Sequence, residues 1–194
     1  MQKGLEELKS KIEAYIPYNE QEERDKRVML DYINNFDNVL TRENEFGHFT
    51  ASSWVLNKDK TKVLMIHHNI FNSWTWTGGH ADGEYDLLGT AVRELKEETG
   101  VENVKILSSD IYSLENVSVN GHVKRGKYVA SHVHLNLTYL LEADEAEPLK
   151  IKKDENSGVK WIPIEEVNKF STEPWMIHNV FPKLNEKFKN LNIN

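Results

Sequence analysis

Cysteine is missing from all 194 residues. That excludes disulfides, thiolate zinc centres and thiol nucleophiles, and it gives no sign of an oxidising compartment. Positive charge is in deficit: 24 Lys and Arg stand against 31 Asp and Glu, for a formal net charge of −7. Loose electrostatic adhesion to nucleic acid or to an anionic membrane is therefore not expected. No apolar run approaches the ~20 residues that span a bilayer. The opening MQKGLEELKSK has no apolar h-region. Repeats and low-complexity stretches are absent, and no linker divides residues 43–194. The expectation is a cytoplasmic protein with one α/β domain over 43–194 and a helical extension over 1–42.

What is present centres on GGHADGEYDLLGTAVRELKEETGV, residues 78–101. Leu87, Leu88, Ala91, Val92 and Leu95 follow the spacing of one apolar stripe on an amphipathic helix. Glu94, Glu97 and Glu98 lie three and four positions apart. At about 100° per residue they share an arc roughly a quarter-turn wide, bordering that stripe. Like charges at this spacing cost on the order of a few tenths of a kcal/mol per pair, and the last turn of a helix disfavours negative charge. A hard divalent cation would compensate, and oxygen-only ligands favour Mg²⁺ or Mn²⁺ over zinc. An acidic triplet alone reads as a solvated face. The glycine turn before the helix and Arg93 beside the first acid argue for more.

Here the chain resembles the Nudix hydrolases (MutT-like enzymes). Their box is Gly, five residues, Glu, seven residues, Arg-Glu, an aliphatic, any residue, Glu-Glu, any residue, Gly, an aliphatic. Gly79, Arg93, Glu94, Leu95, Glu97, Glu98, Gly100 and Val101 fall in register. The departure is the early Glu, which is Tyr85 here, between Glu84 and Asp86. The resemblance implies an α/β/α sandwich with a mixed β-sheet. It implies divalent-metal-dependent hydrolysis of a pyrophosphate bond in a nucleoside diphosphate linked to another moiety, by water attack on phosphorus. ADP-ribose, a nucleotide sugar and a nucleoside triphosphate are examples of such substrates.

By matching position, Glu94, Glu97 and Glu98 would hold Mg²⁺ or Mn²⁺, with a backbone carbonyl near Gly78 as a further ligand. Arg93 would orient the acids, with Glu84 or Asp86 replacing the missing brace. The bland reading pairs Arg93 with Glu97 at i+4. The family often draws its general base from a loop before the late strand, where Glu155 stands, with Asp154 and Glu94 as fallbacks. Glu94, Glu98, Glu155 and Arg93 thus form the expected catalytic set.

Elsewhere, residues 1–40 read as two helices, with Leu5, Leu8, Ile12 and Tyr15 or Ile16 at helical spacing in the first and Val28, Met29, Tyr32, Ile33, Phe36 and Leu40 in the second. His48–Leu56 and Thr61–His67 read as strands around an Asn57–Lys60 turn. Trp74 and Trp76 precede the glycines. Either could stack on a nucleobase, although core filling is the default for tryptophan. Asn120-Gly121 is a hairpin signal, followed by HVKRGK with Arg125 as a phosphate-contacting candidate. In Val129–Leu141, His132, His134, Asn136 and Thr138 share one strand face. The two histidines could ligate a metal, but substrate contact or plain exposure is the expectation. Pro163 should start a helix, and a last helix should run from about Glu173 to Phe188.

The expected partner is a nucleotide-type small molecule, with no membrane and no stable nucleic-acid partner; a homodimer is the one assembly anticipated. A non-catalytic Nudix-like module that binds nucleotide or ADP-ribose as a sensor is the alternative. The helix acids, which degenerate modules lose, argue for the enzyme. Isopentenyl diphosphate isomerases share the architecture but need a catalytic cysteine, which this chain lacks.

Overall fold

The computed structural model describes residues 3–124 and 126–191. Two helices come first. Helix α1 (Lys3–Ala14) buries Leu5, Leu8 and Ile12. Helix α2 (Glu20–Asn35) starts at Asn19, whose side chain accepts the Glu22 backbone N–H at 3.0 Å and satisfies one orphan donor of the first turn. Strands β1 (Gly47–Asn57), β2 (Lys62–His68), β3 (Ser73–Thr75) and β4 (Thr77–His80) lead to helix α3 (Leu87–Thr99). Strands β5 (Val104–Ile106), β6 (Ser113–Val119), β7 (His122–Lys124), β8 (Lys127–Val129), β9 (His132–Ala143) and β10 (Asn156–Pro163) follow. A 3₁₀ turn runs into α4 (Val167–Phe170), and a π turn at Met176–Val180 precedes α5 (Phe181–Asn190).

These elements group into two compact units. One takes Met1–Ser52, Gly78–Ala91 and Ser108–Tyr139; the other takes Ser53–Thr77, Val92–Leu107 and Leu140–Asn194. In the first, Val133 N–H donates to Phe46 O at 3.0 Å and Thr50 Oγ1 to Asn136 Oδ1 at 3.0 Å. Both sequences ascend together, so β1 runs parallel to β9. Strand β4 is antiparallel to β1, with Ala81 N–H donating to Phe49 O at 3.0 Å. Strand β6 is antiparallel to β9 from Ser113 opposite Thr138 to Val119 opposite His132. The sheet is therefore mixed. Leu135, Leu137 and Tyr139 of β9 enter a core with α1, α2 and Leu114. The alternate positions, Asn136 and Thr138, are buried too and hydrogen-bond to Glu115. The polar face of β9 is thus interior, satisfied side chain to side chain as burial requires.

In the second unit β2 pairs antiparallel with the end of β1 (Leu56 opposite Val63) and with β10 (Trp161 opposite Leu64), and β3 extends β2. Strand β5 pairs with the end of β9. The β1–β2 turn closes as expected: the Asn57 side chain accepts the N–H groups of Thr61 and Lys62 at 2.8 and 2.9 Å. Trp54 and Trp76 pack on Phe181 with ring centroids 5.6 and 6.3 Å away.

Some expectations are corrected. Asn120-Gly121 does not join a hairpin, because β6 pairs with β9 while β7 pairs with β8. The Gly121 N–H donates instead to Ser131 Oγ at 2.8 Å. Pro163 is followed by a short 3₁₀ turn before α4 rather than a full helix. Val28 and Phe36 are exposed although their spacing matched the buried stripe of α2.

Candidate active site

Helix α3 is set at both ends by local chemistry. Asp86 Oδ1 accepts the Gly89 N–H at 3.0 Å at its start. At its end Gly100 takes φ +76°, and its N–H donates to Lys96 O at 2.9 Å. Leu87, Ala91 and Leu95 are buried, and Glu98 continues that stripe one turn further, only 2 % exposed. The acids are thus placed unequally: Glu98 is interior, Glu94 keeps 12 % of its side chain exposed, and Glu97 keeps 44 %.

The loop before β10 is tied to the end of this helix within the second unit. Lys150 N–H donates to Thr99 O at 2.7 Å, and the Glu147 carboxylate accepts the Glu102 N–H at 2.8 Å. Asn156, buried, clasps the turn: its Nδ2 donates to Glu98 O at 2.9 Å and its N–H to Lys152 O at 2.7 Å. This brings Lys152 Nζ to 2.8 Å from Glu97 and 2.9 Å from Glu155. Glu155, expected from its place in the sequence, therefore stands one lysine away from the helix acids. Arg93 reaches Glu94 at 2.7 Å and Glu97 at 3.6 Å. These two partners lie on its own helix, while Asp86 caps the start of α3.

The electrostatics separate the carboxyls. Burial pushes the Glu94 carboxyl up, against the lowering effect of Arg93. Glu97 is held below the usual carboxylate range, first by the hydrogen bond from Lys152. Burial by itself would lower Lys152, but the bonds to Glu97 and Glu155 outweigh it and raise the ammonium. These oxygen donors suit a hard divalent cation.

The other expected residues lie as follows. Gly78 sits where a Cβ would come 2.5 Å from Ala51 O, so only glycine permits that approach of β4 to β1. Tyr85 is half-buried in the first unit, its ring against Gly4 of α1. Trp74 is half-buried among His67, Phe170 and Gly158, whereas Trp76 is a buried core residue against Phe181. His132 and His134 gather with His48 and His80 in the first unit. Arg125 lies outside the described residues. Sequence reading missed Lys152, Asn156, His48 and His80. The run of lysines at 150, 152 and 153 was a signal for the first; a buried asparagine clasp leaves none.

Comparison with known proteins now bears on this arrangement. The NUDIX domain family matches residues 47–183. An RNA pyrophosphohydrolase of Pelagibacter ubique (strain HTCC1062) is 31% identical over 141 residues, covering 71% of this chain and 88% of that protein. A probable DHNTP pyrophosphohydrolase of Lactococcus lactis subsp. cremoris (strain MG1363) is 28% identical over 142 residues, 73% of this chain and 81% of that protein. Among solved structures, a C. elegans Ap4A hydrolase binary complex matches with TM-score 0.51 at 20% identity, covering 73% of this chain and 95% of that one, a likeness of fold.

The chain belongs to the NUDIX domain family. Its fold is the α/β/α sandwich of that family with a mixed sheet, and it is an enzyme that hydrolyses phosphoanhydride bonds in nucleotide-type substrates. The family uses divalent cations. Among the described residues no helix is long and apolar enough to cross a membrane.

Proposed function

We propose that the C-terminal half of α3 and the loop before β10 form the catalytic centre for water attack on phosphorus in a nucleoside diphosphate linked to another moiety. Residues 43–194 are the catalytic domain on this reading, 1–42 a helical extension, and the cytoplasm the place of action. The observation that carries it is the convergence of Glu94, Glu97 and Glu155 on two cationic groups, Arg93 and Lys152, in one unit.

Glu94, Glu97 and Glu98 would hold Mg²⁺ or Mn²⁺. When bound, the cation supplies neutralisation of the pyrophosphate charge. The chain's own groups do the rest. Lys152, shared by Glu97 and Glu155, is a cation that an incoming phosphate can draw away. Its transfer frees the Glu155 carboxylate to take a proton from water as the water oxygen bonds to phosphorus and the phosphoanhydride P–O bond breaks. Glu94, raised by burial, is the second carboxylate suited to that proton. Arg93 is a positioning residue that holds Glu94 and Glu97. Trp74 offers the ring for a nucleobase, while Trp76 fills the core.

The names of the relatives support RNA and DHNTP as substrates to try. The test is a panel of these with ADP-ribose, nucleotide sugars and nucleoside triphosphates, with Mg²⁺ or Mn²⁺, reading release of phosphate, pyrophosphate and nucleoside monophosphate. Metal-dependent release that Glu98→Gln abolishes is expected. No release with any class would overturn the proposal.

A further inference from the structure

The first unit holds a second set of metal-type ligands that the carboxylate chemistry does not use. His48 comes from β1, His80 ends β4, and His132 and His134 share one face of β9. One ring nitrogen from each lies within 4.8 Å of the others. The His132 and His134 Nε2 atoms are 3.1 Å apart. Around a tetrahedral ion with metal–nitrogen bonds of about 2.0–2.1 Å, neighbouring ligand atoms sit roughly 3.4 Å apart. The cluster is therefore near ligating spacing before any ion enters.

The orientation of the rings is more telling. His48 Nδ1 faces Asn44 O at 3.1 Å and His132 Nδ1 faces Ala130 O at 2.8 Å. A carbonyl only accepts, so each neutral ring carries its proton on Nδ1 and leaves Nε2 as the acceptor; that of His132 faces His134 Nε2 at 3.1 Å. Carbonyl-anchored imidazoles of this kind are how ligating histidines are held. His48 is 4 % exposed, and its Nε2 is buried with no hydrogen-bond partner. A buried acceptor with nothing to accept from is unfavourable, and a cation at the centre of the cluster would satisfy it. Burial pushes the His80 imidazole down to about 2 and His134 well below the ordinary range, with Arg42 adding to both. Asp82, ion-paired with Arg42, offsets part of that field at His48.

We propose that His48, His80, His132 and His134 bind a divalent transition-metal ion of the zinc class. Four imidazoles suit Zn²⁺, Co²⁺ or Ni²⁺ and are poor ligands for Mg²⁺. The site is thus chemically distinct from the oxygen donors of α3, and its existence does not depend on the catalytic assignment.

The experiment titrates Co²⁺ into chelator-treated full-length protein and follows the visible bands of nitrogen-ligated cobalt, with Zn²⁺ affinity read by competition against a chromophoric chelator. Stoichiometric binding is expected in the wild type and in Glu98→Gln, unaffected by millimolar-range Mg²⁺. Affinity should fall by about 10-fold or more in His80→Ala and in His134→Asn. Loss of binding in Glu98→Gln, or unchanged binding in both histidine variants, would overturn the site. If those variants unfold, wild-type protein still decides the matter. Zn²⁺ should then protect these four histidines from diethylpyrocarbonate while Mg²⁺ does not, and equal modification with and without Zn²⁺ would refute the proposal.

Discussion

The backbone of Gly4 in α1 lies flat against the ring of Tyr85, so close that a Cβ there would be 2.6 Å from Tyr85 Cδ2. Tyr85 stands where the resemblance to the Nudix box expects a Glu. The structure uses it for packing within the core that includes α1, α2 and the start of α3.

Two opposed effects make Gly4→Ala informative. In a free helix the change gains roughly 0.5–1 kcal/mol. Here the clash with Tyr85 should cost about 1–3 kcal/mol, so urea denaturation should show net destabilisation. In a Tyr85→Ala background the same change should instead stabilise. A stabilised Gly4→Ala single variant would show that the ring yields freely.

The buried position of Glu98 and the shared ion pairs of Glu97 argue that neither carboxylate is decoration. Glu97→Gln and Glu98→Gln should each lower kcat by about 10²-fold or more, given the charge stabilisation carried by such groups, while circular dichroism stays unchanged. Near-normal turnover in both at saturating Mg²⁺ would refute their role.

Lys152 first, and burial against it, sets the low pKa of Glu97. An acid whose folded pKa is depressed contributes stability above its unfolded pKa and loses it as pH falls through the folded value. Lys152→Met should let Glu97 rise towards its unfolded value, so stability at neutral pH falls and the share of acid destabilisation that Glu97 supplies in the wild type flattens. Glu97 is well exposed, so the effect should stay under about 1 kcal/mol. Thermal melts across the acid range read it directly.

Glu94 has the opposite sign. Burial raises its carboxyl, so its contribution is fully present at low pH and is lost as pH rises through the folded pKa. Glu94→Gln removes that loss, and its melting temperature at neutral pH should rise above wild type while turnover collapses. A lower melting temperature would mean that the pairing with Arg93 outweighs desolvation.

Asn156 is a structural clasp for the loop that presents Lys152 and Glu155. Losing its bond to the Glu98 carbonyl leaves a buried acceptor unpaired, so Asn156→Ala should cost about 1–3 kcal/mol. Because the loop is then free, kcat should fall more than KM rises; an unchanged kcat would detach the loop from catalysis.

Periodicity determined most elements of this chain. A 3.6-residue stripe marks α3 whatever surrounds it, runs of β-formers mark β1 and β2, and alternation marks β9, because these patterns follow from local backbone geometry. The acids of α3 were legible for the same reason: their spacing alone puts them on one arc. Pairing was not legible. Asn120-Gly121 carries a hairpin signal, yet β6 chooses β9, a partner remote in sequence. Neither was the polar face of β9, since alternation says which residues share a face and not what covers it; here Glu115, Thr50 and Ser52 do. Tyr85 looked like a lost acid until α1 supplied Gly4 as its counterpart. The spacing of His132 and His134 puts them on one face of β9, but His48 and His80 stand at no spacing that joins them to that pair. Only strand pairing gathers them, because side chains distant along the chain become neighbours through the sheet and through nothing in the local sequence.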